Sequence, residues 1–294
     1  MKDRKKLNIG LTGSRGFLGS AIFKHFKENG DNVIILDSLV HPDTKGTEIL
    51  VPDTLNWMMH FGATKSIEAS FENPVNIYRR NMFSTMAALD IAISRNSRFL
   101  YMSSYVYGKP RYLPIDEKHS TFVLNPYMGS KLLGEQMCHQ LHQCLDFSAL
   151  ILRGFTFYGP HQKDNQFIPS IVESIRNHRP IIVKDPNPKR DYLYISDFLQ
   201  LIDIIVHSDY SGFEIYNIGG ATPYNNIEVA QMANKLAVNP VPIQVEGKVR
   251  RNDVAECYAD IQKVSRDFQW QPEIDLSCGL YDCLSFKSTK QELI

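Results

Sequence analysis

A glycine-rich turn near the N-terminus constrains the fold of this chain more than any other feature. A short apolar segment at residues 7–11 leads into Gly13, Gly16 and Gly19, and apolar residues then recur at helical spacing as far as Phe26. This order predicts a strand, a tight turn and a helix. In such a turn the first glycine makes the bend, the second lets a pyrophosphate approach the backbone, and the third lets the helix pack on the strand. The pattern therefore predicts a dinucleotide-binding site.

A carboxylate after the second predicted strand indicates which dinucleotide binds. Residues 33–36 are continuously apolar, as is typical of a buried strand in a parallel sheet, and Asp37 ends the run. A carboxylate at this position would bind the adenosine ribose hydroxyls and would repel a 2′-phosphate. We therefore expect NAD(H) to be favoured over NADP(H).

The alternation of strand and helix continues along the chain. Further buried strands are predicted at residues 57–61, 98–102 and 148–152, each separated from the next by enough chain for a helix. This alternation predicts an α/β fold with a Rossmann-type, doubly wound parallel sheet. The stretch after Asp37 is too short for residues 48–51 to form a next parallel strand followed by a crossover helix. We therefore expect the sheet to be abbreviated after its second strand.

The pattern of predicted elements changes after about residue 160. Prolines punctuate short segments, and single strands are predicted at residues 180–183 and 214–218. We read these strands as part of a second, smaller α+β lobe that binds substrate, over residues 161–294. The NAD-binding Rossmann domain is expected over residues 1–160, with a contribution from about 190–210.

Composition excludes several classes of partner. The chain has 294 residues, with 32 Lys plus Arg against 32 Asp plus Glu, so its formal net charge is zero. No bulk attraction to nucleic acid or to an anionic membrane is expected. We find neither a signal peptide nor an apolar run long enough to span a membrane, and the five cysteines form no CxxC pair. A cytoplasmic protein with reduced thiols is expected, and the scattered histidines give no metal-site spacing.

A tyrosine and a lysine four residues apart suggest acid–base chemistry. Tyr127 and Lys131 would lie on one face of a helix, where the lysine ammonium would lower the pKa of the phenol and make it a general base. Ser103 directly follows the predicted strand at residues 98–102, so its hydroxyl could bind the same substrate oxygen. Carboxyl ends of strands are where open α/β sheets bind ligands.

Together these motifs resemble the extended short-chain dehydrogenase/reductase family, and specifically its NAD-dependent nucleotide-sugar epimerases and dehydratases. The resemblance covers nearly the whole chain. It rests on the glycine turn, Asp37, His60 to Ala63 with Lys65, Ser70 and Pro74, Asn81, Ser103 to Gly108, Tyr127 with Lys131, Arg153 with Tyr158 to Pro160, Arg190 to Asp197, Arg250 with Asp253, and Tyr258 to Asp260. The segment from His60 to Lys65 looks most like UDP-glucose 4-epimerases, in which the equivalent lysine reaches the cofactor.

The resemblance implies a mechanism. Tyr127 would remove a proton from the sugar C4 hydroxyl while hydride passes from C4 to a tightly held NAD, and hydride would return to the opposite face of a transient 4-keto sugar. Ser103 would orient the hydroxyl, and Lys131 would bind the nicotinamide ribose. Arg190 and Arg250 would hold the diphosphate, because paired guanidinium groups suit that anion.

The resemblance also implies two sets of binding residues. The cofactor set is Gly13, Arg15, Gly16, Phe17, Leu18, Gly19, Asp37, Ser38, Phe61, Gly62, Ala63, Lys65, Asn81, Met102, Tyr127, Lys131 and Phe155. The substrate set is Ser104, Tyr105, Thr156, Arg190, Arg250 and Asp253. The family further implies a homodimer formed through helices at about residues 76–94 and 127–145.

Departures from the family pattern narrow the reaction. Sugar 4,6-dehydratases carry Asp-Glu where Ser104 and Tyr105 stand, and decarboxylases carry a glutamate in place of Tyr105, so both reactions are disfavoured. The family's asparagine and glycine are replaced by Thr156 and Asn252 near the nucleotide contacts. A 4-epimerase is the leading hypothesis. The alternatives are a 4-ketoreductase for 4-keto-6-deoxy nucleotide sugars and, at lower rank, a 4,6-dehydratase or a non-catalytic dinucleotide-binding protein.

Overall fold

The structure is a computed structural model that describes residues 5–41, 50–64, 67–163, 166–248 and 254–286. Its contacts divide the chain into two compact units. The first unit comprises Met1–Gly108, Glu117–Gly154 and Leu201–Asn217, and the second comprises Lys109–Asp116, Phe155–Gln200 and Ile218–Ile294. The domain boundary expected at residue 160 stays a prediction.

The first unit contains a six-stranded sheet, which confirms the Rossmann-type fold. Its strands are β1 (Asn8–Thr12), β2 (Asn32–Ile35), β3 (Trp57–His60), β4 (Arg98–Met102), β5 (Ala149–Gly154) and β10 (Phe213–Ile218). Their order across the sheet is β2-β1-β3-β4-β5-β10, and the pairs from β2 to β5 are parallel. β4 and β5 are almost completely buried, as expected for strands covered on both faces.

Five helices accompany this sheet: α1 (Phe17–Glu28), α2 (Ile67–Glu72), α3 (Pro74–Ser94), α4 (Pro126–Leu145) and α6 (Ile195–His207). α3 and α4 begin in the same way. Asn73 and Asn125 are the N-caps and accept hydrogen bonds from the backbone N–H groups of Asn76 and Met128, and a proline occupies the first helical turn. These local signals fix the start of the helix that carries Tyr127 and Lys131.

One strand assignment was wrong. Residues 214–218 were expected in the substrate lobe, but β10 is the edge strand of the main sheet, next to β5. α6 returns the chain to this edge, where Ala149 donates to the Gly212 carbonyl. The prolines after residue 160 therefore misled the sequence reading. At the opposite edge, β2 is the last strand among the described residues. Residues 42–49, on which the expected abbreviation falls, lie outside the described part.

The second unit is built from short strands and helices. Its strands are β6 (Phe157–Tyr158), β7 (Ile181–Val183), β8 (Lys189–Asp191), β9 (Leu193–Tyr194), β11 (Pro223–Asn225), β12 (Ile243–Val245) and β13 (Glu256–Cys257). Its helices are α5 (Phe167–Arg176), α7 (Asn226–Leu236), α8 (Gln262–Phe268) and α9 (Leu276–Ser285). Helices α5, α7 and α9 pack around one apolar cluster that includes Ile171, Val229 and Leu280.

The three-stranded sheet β11-β8-β13 places Arg190 on its middle strand. Among the residues that the structure describes, no helix combines the length and apolar character needed to cross a lipid bilayer.

Candidate active site

The glycine turn between β1 and α1 is shaped by the protein's own backbone. Gly13 has φ +79°, in the left-handed region, and a Cβ there would lie 2.6 Å from the carbonyl carbon of Phe61. A Cβ on Gly19 would collide with the carbonyl oxygen of Gly13. Both positions therefore require glycine for the turn to form and for α1 to pack against β1.

Gly16 differs from its two neighbours, because the protein itself does not fill the space beside it. It is exposed, and a Cβ there would meet only the Gly13 carbonyl oxygen, at 3.2 Å. Gly16 is also the N-cap of α1, and no side chain caps this helix. The turn therefore presents the uncapped, positive dipole end of α1 beside a residue without a side chain. This cradle fits a pyrophosphate.

Asp37 lies directly after β2 and reaches the same turn. Its carboxylate accepts hydrogen bonds from the backbone N–H of Gly13 at 2.5 Å and of Ser14 at 3.2 Å, and from the Ser14 hydroxyl at 2.6 Å. The side chain is half-buried, as is that of Ser38 beside it. The carboxylate is thus held at the edge of the cradle, where an adenosine ribose would be expected.

The loop after β3 is fixed by a buried chain of hydrogen bonds. His60 Nδ1 lies 2.7 Å from the Thr12 hydroxyl and His60 Nε2 lies 3.2 Å from the Thr85 hydroxyl, while Thr12 Oγ1 also accepts from the Gly62 N–H. Burial lowers the pKa of His60 well below its usual value, and the Lys131 charge adds to this effect. The imidazole is therefore neutral and acts as a structural link between the turn and the loop.

Asn81 holds the same loop from α3. Its amide oxygen accepts from the Thr64 N–H at 2.8 Å, and its amide nitrogen donates to the Thr64 carbonyl and, at 2.9 Å, to the Ser130 hydroxyl of α4. We expected Asn81 to contact the cofactor. Its amide is instead engaged within the protein, so it positions residues 61–64. Lys65, the next predicted contact, lies outside the described residues.

Tyr127 and Lys131 lie at the carboxyl end of β4. The Lys131 ammonium donates to the Met102 carbonyl at 2.8 Å and lies 4.8 Å from the centre of the Tyr101 ring. Burial lowers the pKa of Lys131 to about 7, against the opposing effect of the Glu135 charge. Loss of hydration raises the pKa of Tyr127 to about 12, and a hydrogen bond with the Ser104 side chain opposes this rise.

This electrostatic picture corrects one sequence-based expectation. We expected Lys131 to lower the pKa of Tyr127, but the raising effect of desolvation dominates. The reason is geometric, because the ammonium is directed to the Met102 carbonyl and the Tyr101 ring. In this structure Tyr127 is therefore a neutral phenol, which is a proton donor.

A second correction concerns the two serines after β4. Ser103 is 3% exposed and donates its hydroxyl hydrogen to Glu135 Oε1 at 2.5 Å. It is half-buried Ser104 whose side chain hydrogen-bonds to Tyr127. Successive residues of an extended chain point in opposite directions, so only one of the two hydroxyls can face Tyr127. Ser104, and not Ser103, is therefore the serine whose side chain contacts Tyr127, so we consider Ser104 for the orienting role expected of Ser103.

The other expected substrate residues are placed as follows. The Tyr105 phenol is buried and donates to the Gly108 carbonyl oxygen. In the second unit, half-buried Thr156 accepts from the Leu193 N–H through its carbonyl, and half-buried Arg190 donates to the Lys189 carbonyl. Arg250 and Asp253 lie outside the described residues. Of the remaining cofactor set, Arg15 is exposed, Met102 is buried, and Phe17, Leu18, Phe61, Gly62, Ala63 and Phe155 are half-buried.

Comparison with known proteins identifies the family. The family model described as "NAD dependent epimerase/dehydratase family" matches residues 9–219, which is most of the chain. The chain belongs to this family. It is therefore an NAD-dependent enzyme, and the cradle at Gly16, the Asp37 carboxylate and the Lys131 ammonium fit the phosphates and riboses of that cofactor.

Individual relatives point the same way. A putative UDP-glucose 4-epimerase of Methanocaldococcus jannaschii is 30% identical, over 92% of this chain and 95% of the relative. The structure of RMD from Pseudomonas aeruginosa, complexed with NADPH, has a TM-score of 0.84 at 25% identity and covers 95% of this chain and 98% of that one. A Bifidobacterium longum UDP-glucose 4-epimerase structure with NAD+ and UDP has a TM-score of 0.81 at 24% identity, covering 94% and 97%. The last likeness bears on the fold alone.

Sequence reasoning missed an ion pair next to this family's tyrosine and lysine. Glu135 follows Lys131 by one helical turn and forms a bidentate ion pair with Arg153 of β5. Arg153 Nε lies 3.0 Å from Glu135 Oε1, and Arg153 Nη2 lies 2.6 Å from Glu135 Oε2. Arg153 also donates to the Tyr107 hydroxyl at 2.9 Å. The spacing of Glu135 from Lys131 was the available signal, because residues four apart share a helix face.

A cavity of about 290 Å³ lies in the first unit, at the amino ends of the strands and therefore opposite to the candidate catalytic residues. Its lining includes Leu7, Trp57 and Arg98, which are at the amino ends of β1, β3 and β4. The catalytic candidates lie at the carboxyl ends, where α/β sheets bind ligands, so we place the site there. Within the described ranges, no three His, Cys, Asp or Glu side chains form a group that could hold a metal ion.

Proposed function

We propose that this enzyme is a nucleotide-sugar 4-epimerase. The observation that carries the proposal is the meeting of Ser104, Tyr127 and Lys131 at the carboxyl end of β4, in the same sheet as the glycine turn. A phenol that can exchange a proton, an orienting hydroxyl and a cation are the groups that oxidation of a secondary alcohol requires. The 30% identical relative is named as a putative UDP-glucose 4-epimerase.

The chain's own groups have defined tasks in this reaction. When bound, NAD supplies a hydride acceptor. Tyr127 removes the proton of the sugar C4 hydroxyl as the C4–H bond breaks, and Ser104 holds that hydroxyl by a hydrogen bond. Lys131 would bind the nicotinamide ribose. Tyr127 must ionise before it can accept this proton, and desolvation opposes that ionisation while the Lys131 ammonium is directed to the Met102 carbonyl. Hydride would return from the bound cofactor to the other face of the 4-keto sugar, and Tyr127 would give its proton back to O4, so the epimerisation has no net redox change.

The substrate contacts are part of the proposal. Arg190 on β8 and Arg250 would bind the diphosphate, with Thr156, Tyr105 and Asp253 near the nucleotide and sugar. Ser104 and Tyr105 stand where dehydratases carry an acid and a base, so elimination of water is disfavoured. Fold alone does not separate the two reactions, since the NDP-hexosamine 5,6-dehydratase TunA has a TM-score of 0.83 at 21% identity.

A second candidate is a nucleotide-sugar 4-ketoreductase acting on a 4-keto-6-deoxy sugar. Two observations favour it: the neutral Tyr127 phenol is already the proton donor that ketone reduction needs, and the Pseudomonas RMD structure contains NADPH. The carboxylate of Asp37 at the edge of the cradle opposes NADPH, because it would repel a 2′-phosphate.

One experiment separates the two candidates. The purified enzyme is incubated with UDP-, dTDP-, GDP- and CDP-sugars and, in a second assay, with their 4-keto-6-deoxy forms plus NADH, while absorbance near 340 nm is followed and the sugars are resolved. An epimerase forms the C4 epimer over many turnovers without added reduced cofactor, whereas a reductase consumes one NADH for each 4-keto sugar reduced. Failure to convert any of these sugars in either assay would contradict both.

We further propose that the protein is a homodimer through α3 and α4. These helices pack on each other, with Asn81 bonded to Ser130, yet they expose Phe83, Met86 and Leu133. A two-fold pairing would bury this apolar face. Sedimentation at micromolar concentration should give twice the mass of 33.7 kDa, and Met86→Glu should give the monomer; a monomeric wild type would refute this pairing.

A cytoplasmic location is proposed as well, since the five cysteines form no disulfide.

A further inference from the structure

The buried ion pair beside Lys131 is costly and therefore needs a reason. Glu135 is 3% exposed and Arg153 is 5% exposed, so both charges have left water. Removing two charges from water costs several kcal/mol, and apolar side chains of similar volume often stabilise a protein equally well. Stability alone thus gives no reason for charges at this point, directly behind the catalytic residues.

Glu135 connects the three elements that build the site. It lies on α4 with Tyr127 and Lys131, it pairs with Arg153 of β5, and it accepts the hydroxyl hydrogen of Ser103 at 2.5 Å. Ser103 sits between Met102, whose carbonyl binds the Lys131 ammonium, and the serine that hydrogen-bonds to Tyr127. The carboxylate therefore fixes the end of β4 against the helix.

Glu135 is also the anion that supports the charge of Lys131. The other titratable groups facing Lys131 give no negative charge at neutral pH: His60 and Tyr127 are neutral, and Tyr101 is a buried phenol whose pKa is raised well above its usual value. Burial depresses the pKa of Lys131 to about 7, and the Glu135 charge acts against that depression. The Glu135 charge therefore favours the ammonium form of Lys131 against the effect of burial.

We propose that Glu135 is a positioning residue of the active site: it holds the end of β4 where Met102 binds Lys131 and Ser104 meets Tyr127, and it places a carboxylate one helical turn from Lys131. This inference rests on the proposed function, because it assumes that Tyr127 and Lys131 perform the chemistry. Arg153 balances the carboxylate and orients it, and Tyr107 holds the guanidinium from its other side.

The test is the pH profile of turnover for Glu135→Gln. Gln keeps the size of the side chain and removes its charge, so the pKa of Lys131 should fall. The alkaline limb of the profile, where the required cation is lost, should move toward lower pH by about one unit. Glu28→Gln, the same change on an exposed helix position of the first unit, should leave the limb in place. An unmoved limb in Glu135→Gln, with reduced or normal turnover, would overturn the inference.

Two further variants keep the test decisive. If Glu135→Gln fails to fold because Arg153 is left unpaired, Glu135→Gln with Arg153→Met removes both charges, and its alkaline limb should still lie below that of the wild type. Ser103→Ala keeps the Glu135 charge, so it should lower turnover without moving the limb. Normal turnover in Tyr127→Phe would contradict the proposed function itself, whereas an unmoved limb would contradict only the role of Glu135.

Discussion

The candidate site has two parts, the glycine turn after β1 and the residues after β4, and both lie at the carboxyl ends of strands in one sheet. The backbone forms the first part, which we call the backbone end, and side chains form the second, which we call the side-chain end. The glycine turn after β1 is made of backbone, and its geometry follows from Gly13 and Gly19, where a Cβ has no room. The catalytic end after β4 is made of side chains on two elements, whose directions depend on packing. Spacing in the sequence is a good guide to the first kind of site and a poor guide to the second.

The serines illustrate the difference. Ser103 and Ser104 are adjacent, and both follow β4, so the sequence permits either to orient the substrate. The choice is made by Glu135, which engages Ser103 and leaves its neighbour with Tyr127. A residue far along the chain thus decides which serine hydroxyl contacts Tyr127.

The largest effect is expected from Tyr127→Phe. Removal of the phenolic oxygen deletes the general acid–base group, so turnover should fall by roughly 10²-fold or more, while binding of NAD and nucleotide sugar stays close to wild type. Steady-state kinetics and calorimetric titration measure the two quantities. Wild-type turnover in this variant would show that Tyr127 is not the acid–base group and that the chemistry does not take place at the end of β4.

The paired variants Ser104→Ala and Ser103→Ala test the comparison within the side-chain end. Ser104→Ala should reduce turnover by about 10- to 100-fold, the range of one to two hydrogen bonds to a developing charge. Ser103→Ala should cost only a few-fold, because its hydroxyl serves Glu135 rather than the substrate. The reverse ranking would restore the role first expected for Ser103.

The sequence predicts the fold better than it predicts the site. β4 was expected at residues 98–102 and occupies them, because a short, mostly apolar segment is typical of a buried strand in a parallel sheet. β10 was assigned to the wrong unit, because local composition carries no information about which sheet a strand joins. The effect of Lys131 on Tyr127 was misjudged for a similar reason: helix spacing gives proximity, but the cost of burial appears only in three dimensions.

At the backbone end, Gly16→Ala should separate cofactor binding from folding. The new Cβ lies 3.2 Å from the Gly13 carbonyl oxygen, a tight contact that a small shift can relieve, so the midpoint of thermal unfolding should fall far less than in Gly19→Ala, where the Cβ would collide with the same oxygen. The methyl group would occupy the cradle expected for the pyrophosphate and should weaken NAD binding by about tenfold, or about 1.4 kcal/mol. Unchanged affinity for NAD would mean that the pyrophosphate lies elsewhere.

The smallest effect is expected from Asp37→Asn, which changes charge at the backbone end and keeps shape. An amide oxygen can still accept from the Gly13 N–H, so the turn should persist. NAD affinity should fall only several-fold, because one charge-assisted hydrogen bond to a ribose hydroxyl becomes a neutral one.

The diagnostic readout for Asp37→Asn is the preference between cofactors. Loss of the negative charge removes the repulsion of a 2′-phosphate. The dissociation constant of NADP divided by that of NAD should therefore decrease by about tenfold. Asp53→Asn, at a fully exposed aspartate of the same unit, is the matched control and should leave this ratio unchanged. If the ratio stayed at its wild-type value in Asp37→Asn as well, Asp37 would serve only to brace the glycine turn. Both ends of the site would then depend on contacts that spacing alone does not reveal.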